Sequence, residues 1–175
     1  TSAATIPGGT LAPTPHLGSG TSSLVNAPTG TFVLGNAVTT ANNSSDSAAG
    51  ATNFTWSTTN YPAATINTLR GYQFNVSTTG RKNIQLSFDM YHSATASRFM
   101  RLEYSTNGGG TWTAYTGPGT DTANLYRANL GGNRWYLNRT ANFSGISGVD
   151  NNAAFRVRLV AVFAPGGTGY VAATT

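Results

Sequence analysis

Strict alternation between apolar and polar residues over residues 84–91 constrains the fold more than any other feature of the chain. Side chains that alternate in this way lie on opposite faces of an extended strand, one face buried and the other in water. The alternation resumes over residues 100–104 and stops at a glycine-rich turn that begins at Asn107. Two core strands and a hairpin are therefore predicted for residues 84–112.

Other short β-prone runs follow, separated by turns rich in Gly and Asn. We expect residues 71–78 to pair with the strand over residues 84–91, because a short turn joins them. No segment keeps a helical period. About eight to ten short strands at regular spacing predict an all-β fold, a two-sheet antiparallel β-sandwich of the jelly-roll type. The further β-prone runs are residues 31–34, 36–40, 53–57, 134–142 and 155–163.

The N-terminal segment differs in composition from the rest of the chain. Three prolines and several glycines leave few apolar residues there, namely Ile6, Leu11 and Leu17. Prolines at this spacing exclude a helix or a central strand. The sequence predicts an extended arm over residues 1–23 and one sandwich domain over residues 24–175; a disordered terminus is the alternative interpretation of the arm.

The composition favours an extracellular protein. Charged residues make up 9% of the chain, against about 25% in ordinary soluble proteins. We therefore expect a secreted or cell-surface protein whose signal peptide has been removed. The ten basic residues form no run, so no nucleic-acid partner is predicted. Cysteine is absent, which excludes disulfides, and no stretch reaches the roughly 20 apolar residues that a membrane span requires.

Catalytic chemistry has little support in the sequence. Asp89 and Glu103, which we expect on neighbouring strands, are the only plausible carboxylate pair for glycoside hydrolysis. Ion pairs with Arg98 or Arg101 are the alternative interpretation of these acids. His92 has no second histidine or cysteine nearby with which to bind zinc, and no serine lies in a Gly-x-Ser-x-Gly elbow. We predict a protein that is not an enzyme and that uses no metal or cofactor.

Two resemblances to known proteins rest on particular motifs. Residues 105–112, Ser-Thr-Asn-Gly-Gly-Gly-Thr-Trp, resemble the Asp-box of sialidases, with Asn107 in place of the aspartate. In that family the box is a hairpin away from the catalytic site, so the likeness implies a hairpin and no activity. A longer likeness runs from about Trp56 to the end, through SFDMYHSATASRFMRLEYSTNGGGTWT and WYLNRTANFSGISGVDNNAAFRVRLVAVFAPGGTGYVAA. It resembles a jelly-roll module of large secreted bacterial proteins, including PEP-CTERM-type surface proteins, autotransporter-like proteins and multidomain extracellular nucleases.

The second resemblance implies a particular kind of assembly. In the similar modules the Tyr-Val-Ala segment is followed by one more strand, so this chain is expected to lack its own last strand, either by nature or by truncation. An open sheet edge is a template for a strand from another molecule. We expect a structural subunit of an extracellular filament or sheath, a homopolymer joined by donor-strand complementation. The predicted assembly residues are Ile6, Leu11, Leu17, Val160, Val162 and Tyr170.

The role of Val160 and Val162 in assembly depends on what covers the strand over residues 155–163. Its second face turns apolar at Val160 and Val162. Either a loop of the same chain covers these two valines, or they face another protein molecule.

Carbohydrate binding, by an accessory module of a secreted multidomain protein, is the alternative function. Exposed aromatic rings can stack on sugar rings. For a tryptophan such as Trp56, packing in the protein core is the competing interpretation. Tyr91 and Tyr136 fall on faces that the alternation makes polar, which favours exposure. The predicted glycan-binding residues are Tyr91, Tyr136, Trp56 and Tyr61. Sequons begin at six asparagines, of which Asn42 is one, and the candidate glycosylation sites are Asn43, Asn53, Asn75, Asn138 and Asn142.

Overall fold

A computed structural model describes residues 18–26, 29–34, 54–61 and 69–174. These residues form ten β-strands and no helix, and every pairing between the strands is antiparallel. The predicted all-β class is therefore confirmed. The strands are β1 (Thr21–Val25), β2 (Thr29–Leu34), β3 (Phe54–Thr59), β4 (Arg70–Asn75), β5 (Gln85–His92), β6 (Phe99–Ser105), β7 (Thr113–Ala114), β8 (Tyr126–Arg127), β9 (Arg134–Asn142) and β10 (Arg156–Ala161).

The main sheet has the strand order β1-β4-β10-β6-β7, and β8 also pairs with β6. Its register places Leu159 of β10 between Tyr72 of β4 and Leu102 of β6. Because side chains alternate along a strand, Val157 and Leu159 face the core while Arg156 and Arg158 face the opposite side. The inner face of this sheet is therefore apolar, and the outer face is polar around Arg156 and Arg158.

The second layer consists of two separate two-stranded sheets, β2–β3 and β5–β9. Met90 of β5 shares one buried cluster with Leu102 and Val157 of the main sheet, and Trp56 of β3 packs edge-on against Tyr72, with ring centroids 5.2 Å apart. The predicted antiparallel sandwich is thus confirmed, while its jelly-roll connectivity stays a prediction. In the described residues no pairing joins β3 to β5, so the second layer is divided between them.

The predicted pairing of residues 71–78 with the β5 strand is wrong. Strand β4 pairs with β1 and β10, whereas β5 lies in the second layer and pairs with β9. The connection between them is anchored by Thr78, whose hydroxyl donates to the Val149 carbonyl at 2.5 Å and whose amide donates to the Asn152 carbonyl at 2.9 Å. The chain therefore crosses from one layer to the other instead of forming a hairpin.

A β-bulge interrupts the pairing of β9 with β5. Phe88 pairs with Arg139 but Met90 pairs with Tyr136, so Asp89 alone opposes two residues of β9. Asn138 adopts a positive φ of 52° there, and its amide donates to Asp89 Oδ1 at 2.8 Å. An extra residue shifts the alternation by one position. The Tyr136 side chain, on the other side of the bulge from Arg139, therefore points into the core.

Strand β1 revises the boundary of the predicted arm. The strand begins at Thr21, so residues 21–23 belong to the main sheet rather than to the arm. Several predicted residues lie outside the described part of the chain: Ile6, Leu11, Leu17, Asn43 and Asn53. Of the other sequons, Asn138 and Asn142 are exposed, and Asn75 donates through Nδ2 to the Thr21 hydroxyl at 2.9 Å.

A loop of the chain covers the apolar outer half of β10. Val160 and Val162 are buried in a cluster with Val25, Phe99 and Leu125. Leu125 lies on the long connection between β7 and β9, which the sequence marks as polar. The first alternative for these two valines is therefore the one found, and their side chains offer no open surface to a second molecule.

The hairpin implied by the Asp-box likeness is present. The Asn107 side-chain oxygen accepts from the Thr111 amide at 2.9 Å and from the Ser105 hydroxyl at 2.8 Å. The Ser105 hydroxyl accepts in turn from the Gly109 amide at 2.9 Å. Asn107 thus supplies the acceptor of the usual aspartate, and its Nδ2 adds a donor to the Thr111 hydroxyl at 3.0 Å.

Candidate functional site

A cleft of about 430 Å³ lies between the C-terminal ends of β3 and β5, where the second layer is divided. One wall is formed by residues 58–61 and the other by residues 90–93 with the loop that follows them. Tyr72 and Met100 of the main sheet contribute from below. The described residues that line the cleft carry hydroxyl, amide, imidazole, thioether or methyl groups, and none of these lining residues is an acid, a lysine or an arginine.

A chain of hydroxyl groups fixes the β3 wall. The Thr58 hydroxyl donates to the Tyr72 hydroxyl at 2.9 Å, which donates to the Trp56 carbonyl at 3.3 Å. Because Thr58 has a single hydroxyl proton, the Tyr61 hydroxyl is the donor in its 2.7 Å contact with Thr58. Burial raises the pKa of both Tyr61 and Tyr72, so both phenols stay neutral at physiological pH.

The turn at the end of β3 is held by two side chains. Asn60 has a positive φ of 62°, a conformation that asparagine tolerates better than most residues. Its Nδ2 donates to the Thr29 hydroxyl at 2.6 Å, and Arg70 Nη1 donates to its carbonyl. Tyr61, the next residue, is therefore presented from a fixed backbone.

Tyr91 forms part of the opposite wall, at the end of β5. Its ring packs at a tilt against Trp135, with centroids 5.5 Å apart, and its hydroxyl lies 3.5 Å from Asn133 Oδ1. That oxygen also accepts from the Ala94 amide at 3.0 Å. The ring is half-buried, so one part is held by the protein and another part is open to solvent.

His92 lies behind Tyr91 and is 2% exposed. Nδ1 lies 2.9 Å from the Ser97 carbonyl, which can only accept, so Nδ1 carries the proton of the neutral ring. Burial lowers the pKa of His92 to about 4; the Ser97 hydrogen bond opposes this shift, and the positive charge of Arg139 adds to it. His92 is therefore neutral at physiological pH, and in the described residues its Nε2 has no hydrogen-bond partner.

Two of the four aromatic residues predicted to bind glycans, Tyr61 and Tyr91, lie in this cleft. Trp56 lies behind it, packed against Tyr72 and Phe74. The prediction for Tyr136 is wrong: the side chain is 6% exposed, and its hydroxyl donates to the Gly131 carbonyl at 2.6 Å. The bulge in β9 explains the error, because alternation beyond it is reversed.

Sequence reasoning missed other residues of the cleft, chiefly Thr58, Tyr72 and His92. His92 was considered only as a zinc ligand, and Tyr72 only as a strand residue. Their places depend on the division of the second layer. No local signal in the sequence anticipates it, because the segment between β3 and β5 contains β4, a strand of the other layer.

Asp89 and Glu103 are not on neighbouring strands, which corrects the prediction. Asp89 accepts from the amide of Asn138 in the second layer, whereas Glu103 lies on the polar face of the main sheet. Glu103 is buried and bridges Arg101 and Arg158, each at 2.5 Å. The predicted ion pair between Glu103 and Arg101 is therefore present.

Comparison with protein-family models, with curated proteins and with solved structures finds no match for this chain. The resemblance to a secreted bacterial module therefore stays a prediction. Across the described ranges, no three histidine or acidic side chains gather as metal ligands would. The same ranges contain no helix of the length and apolarity needed to cross a bilayer.

Proposed function

We propose that this protein is a non-catalytic, extracellular carbohydrate-binding module and that the cleft between β3 and β5 holds a neutral sugar. The observation that carries the proposal is that Tyr61 and Tyr91 line one cleft whose remaining polar groups are hydroxyls, amides and the neutral imidazole of His92. Aromatic rings with a polar tip provide both stacking area and a hydrogen bond. The volume of about 430 Å³ falls within the roughly 300–1,000 Å³ typical of small-molecule sites.

The charge state of the cleft supports a neutral ligand rather than an acidic one. Burial keeps Tyr61 protonated and His92 deprotonated over the physiological range. A carboxylate or sulfate that entered the cleft would lose hydration without meeting a cation among the described lining residues. Arg70, which is outside that lining, already donates to the Asn60 carbonyl. Sugar hydroxyls, in contrast, would exchange bonds to water for bonds to Thr58, Asn60 and Ser93.

The test is retardation of the protein in gels that contain neutral polysaccharides, with Tyr91→Ala and Tyr91→Phe compared. Tyr91→Ala removes the stacking ring and should weaken retardation about tenfold, since about 1.4 kcal/mol corresponds to that factor. Tyr91→Phe keeps the ring and should retain most of the binding. Leu130→Ala, a change at an exposed apolar side chain outside the cleft lining, is the control. The proposal would be refuted if wild type and Tyr91→Ala were retarded equally. It would also be refuted if no neutral glycan retarded the wild type.

A second candidate function is the predicted filament or sheath subunit, and the division of the second layer favours it. In the described residues β3 and β5 leave facing edges that pair with no other strand, and such edges accept strands from other molecules. Because Val160 and Val162 are covered, the acceptor in this proposal is the gap between β3 and β5. The donor is the segment that carries Ile6, Leu11 and Leu17.

The experiment for assembly is electron microscopy and sedimentation of the whole chain beside a variant that lacks residues 1–17. This deletion leaves β1, which begins at Thr21, in place. Polymers that disappear with the deletion would support strand donation. A monomer at high concentration in both samples would refute assembly and would leave the carbohydrate proposal untouched.

A further inference from the structure

The polar face of the main sheet gathers arginines that are far apart in the sequence. Arg156 and Arg158 alternate with the core residues Val157 and Leu159 on β10. Arg158 pairs across the sheet with Glu103, and two residues before Glu103 the same face carries Arg101. We call Arg101, Arg156 and Arg158 the arginine face. It lies on the side of the sheet opposite the cleft, because Tyr72 and Met100, which contact the cleft, point to the inner side.

Contacts around Glu103 hold part of the arginine face rigid. The Glu103 side chain is 6% exposed and bonds to Arg101 Nη2 and Arg158 Nε, each at 2.5 Å. The Arg158 guanidinium also lies 4.2 Å from the centroid of the Trp112 ring, which is a cation–π contact. The buried carboxylate thus fixes both guanidiniums, but their exposure differs: the Arg101 side chain is 32% exposed, whereas the Arg158 side chain is 16% exposed.

Arg156 adds a charge that no acid of the described chain neutralises. Its guanidinium lies against the hairpin turn, because a β-carbon at Gly109 would be 3.2 Å from Arg156 Nη1. No ion pair joins it to an acidic residue in the ranges that the structure describes. Three arginines and one glutamate give this face a net charge of 3 − 1 = +2.

The strands beside β10 extend the face with uncharged polar groups. Gln73 pairs with Arg158, and Asn75 pairs with Arg156. Gln73 Nε2 donates to Asn75 Oδ1 at 3.1 Å, and Asn75 Nδ2 donates to the Thr21 hydroxyl at 2.9 Å. The result is a sheet surface with amides and hydroxyls on one side and guanidiniums on the other.

We propose that the arginine face binds an anionic polysaccharide that carries carboxylate groups. Guanidinium forks match carboxylates in geometry, as the Glu103 contacts illustrate, and the net positive charge attracts a polyanion. Arg156 and Arg101, whose side chains are half-buried, can each offer a guanidinium to a carboxylate of one polymer. Arg158, held by Glu103 and Trp112, contributes its positive charge to the same face. The row formed by Gln73, Asn75 and Thr21 hydrogen-bonds the sugar hydroxyls. This site is separate from the neutral-sugar cleft.

The test is binding of the whole chain to polygalacturonate at about 50 mM and about 200 mM salt, with neutral dextran, dextran sulfate and duplex DNA as comparison polymers. Arg156→Gln removes the unneutralised cation and leaves the Glu103 ion pairs intact. Arg81→Gln, at an exposed arginine elsewhere, makes the same change in net charge. We expect Arg156→Gln to weaken binding to polygalacturonate about tenfold at the lower salt, and Arg81→Gln to change it less than twofold.

Several outcomes would overturn this proposal. An equal loss in Arg156→Gln and Arg81→Gln would show a nonspecific effect of net charge. Equal or tighter binding to DNA or dextran sulfate would show a general cationic surface rather than a carboxylate site. The Tyr91→Ala variant separates this proposal from the cleft proposal, because it should keep full binding to polygalacturonate while it loses binding to neutral glycans.

Discussion

His92 illustrates at the scale of one residue how burial sets the chemistry of the cleft. The backbone carbonyl of Ser97 fixes its tautomer, and the loss of hydration holds its pKa near 4. A ring edge of Tyr136, at a centroid distance of 5.5 Å, packs against it. A charged imidazolium at this position would lie close to Arg139 without a solvent shell, so the folded protein favours the neutral form.

The free energy of unfolding should therefore fall as the pH is lowered from about 6.5 to about 4. The pKa of His92 is lowered from 6.5 to about 4 in the folded state, so between these values the unfolded chain binds more protons. Stability is fully present above pH 6.5 and decreases toward pH 4, by on the order of 3 kcal/mol. Urea unfolding at several pH values would measure the slope.

The matched control for this pH dependence is His92→Gln, which removes the titrating group. Its slope over the same range should be clearly shallower than that of the wild type, even if its absolute stability is lower. Equal slopes in the two proteins would assign the pH dependence to other groups and would contradict the interpretation of His92.

At the scale of the element, the chain between β7 and β9 acts as a cover for β10. Leu125 closes the cluster over Val160 and Val162, whereas Leu130 of the same connection is 68% exposed. Tyr126 of β8 attaches this connection to β6 through strand pairing, and its hydroxyl donates to the Thr140 carbonyl of β9 at 2.6 Å. A segment with a polar sequence thus protects the most apolar strand.

Leu125→Ala should destabilise the fold and expose the outer half of β10. Truncation of a buried leucine costs about 2–5 kcal/mol, and the uncovered valines should increase binding of the dye ANS near the unfolding transition. Leu130→Ala, in the same connection and of the same chemistry, should change stability by less than about 0.5 kcal/mol. Similar effects of the two variants in urea unfolding would contradict the covering role of this connection.

The sequence predicted the strands far better than their partners. Alternation over residues 84–91 and 100–104 is a local signal, and β5 and β6 lie where it indicates. The partner of β5 depends on contacts between distant segments, so the predicted pairing with β4 failed. Tyr136 failed for a related reason, since the extra residue at the bulge reverses the alternation of the β9 side chains before it relative to those after it.

The candidate site was only partly visible in the sequence. Aromatic type and position singled out Tyr61 and Tyr91, although the same reasoning also selected Tyr136, whose burial depends on the bulge in β9. The arginine face was invisible, because Arg101 and Arg158 are distant in sequence and meet only through the pairing of β6 with β10. Residue type therefore identified part of the cleft, whereas the arginine face forms only through strand pairing.

At the scale of the whole molecule, the main sheet separates two surfaces of different character. The inner side carries the core and the uncharged cleft, and the outer side carries Arg156 and Arg158. No residue of the arginine face lines the cleft. The two proposed sites can therefore be occupied at the same time by different polymers, without competition for a shared side chain.

This arrangement predicts that the protein links a neutral polysaccharide to a carboxylated one. Protein bound to an insoluble neutral glycan through the cleft should capture soluble polygalacturonate, because the arginine face points away from the occupied side. Tyr91→Ala should fail to bind the neutral matrix, and Arg156→Gln should bind the matrix but capture about tenfold less polygalacturonate, the factor that a loss of about 1.4 kcal/mol gives. Release of the protein from the matrix when polygalacturonate is added would instead mean that both polymers compete for one site, and the separation of the two surfaces would then have no functional meaning.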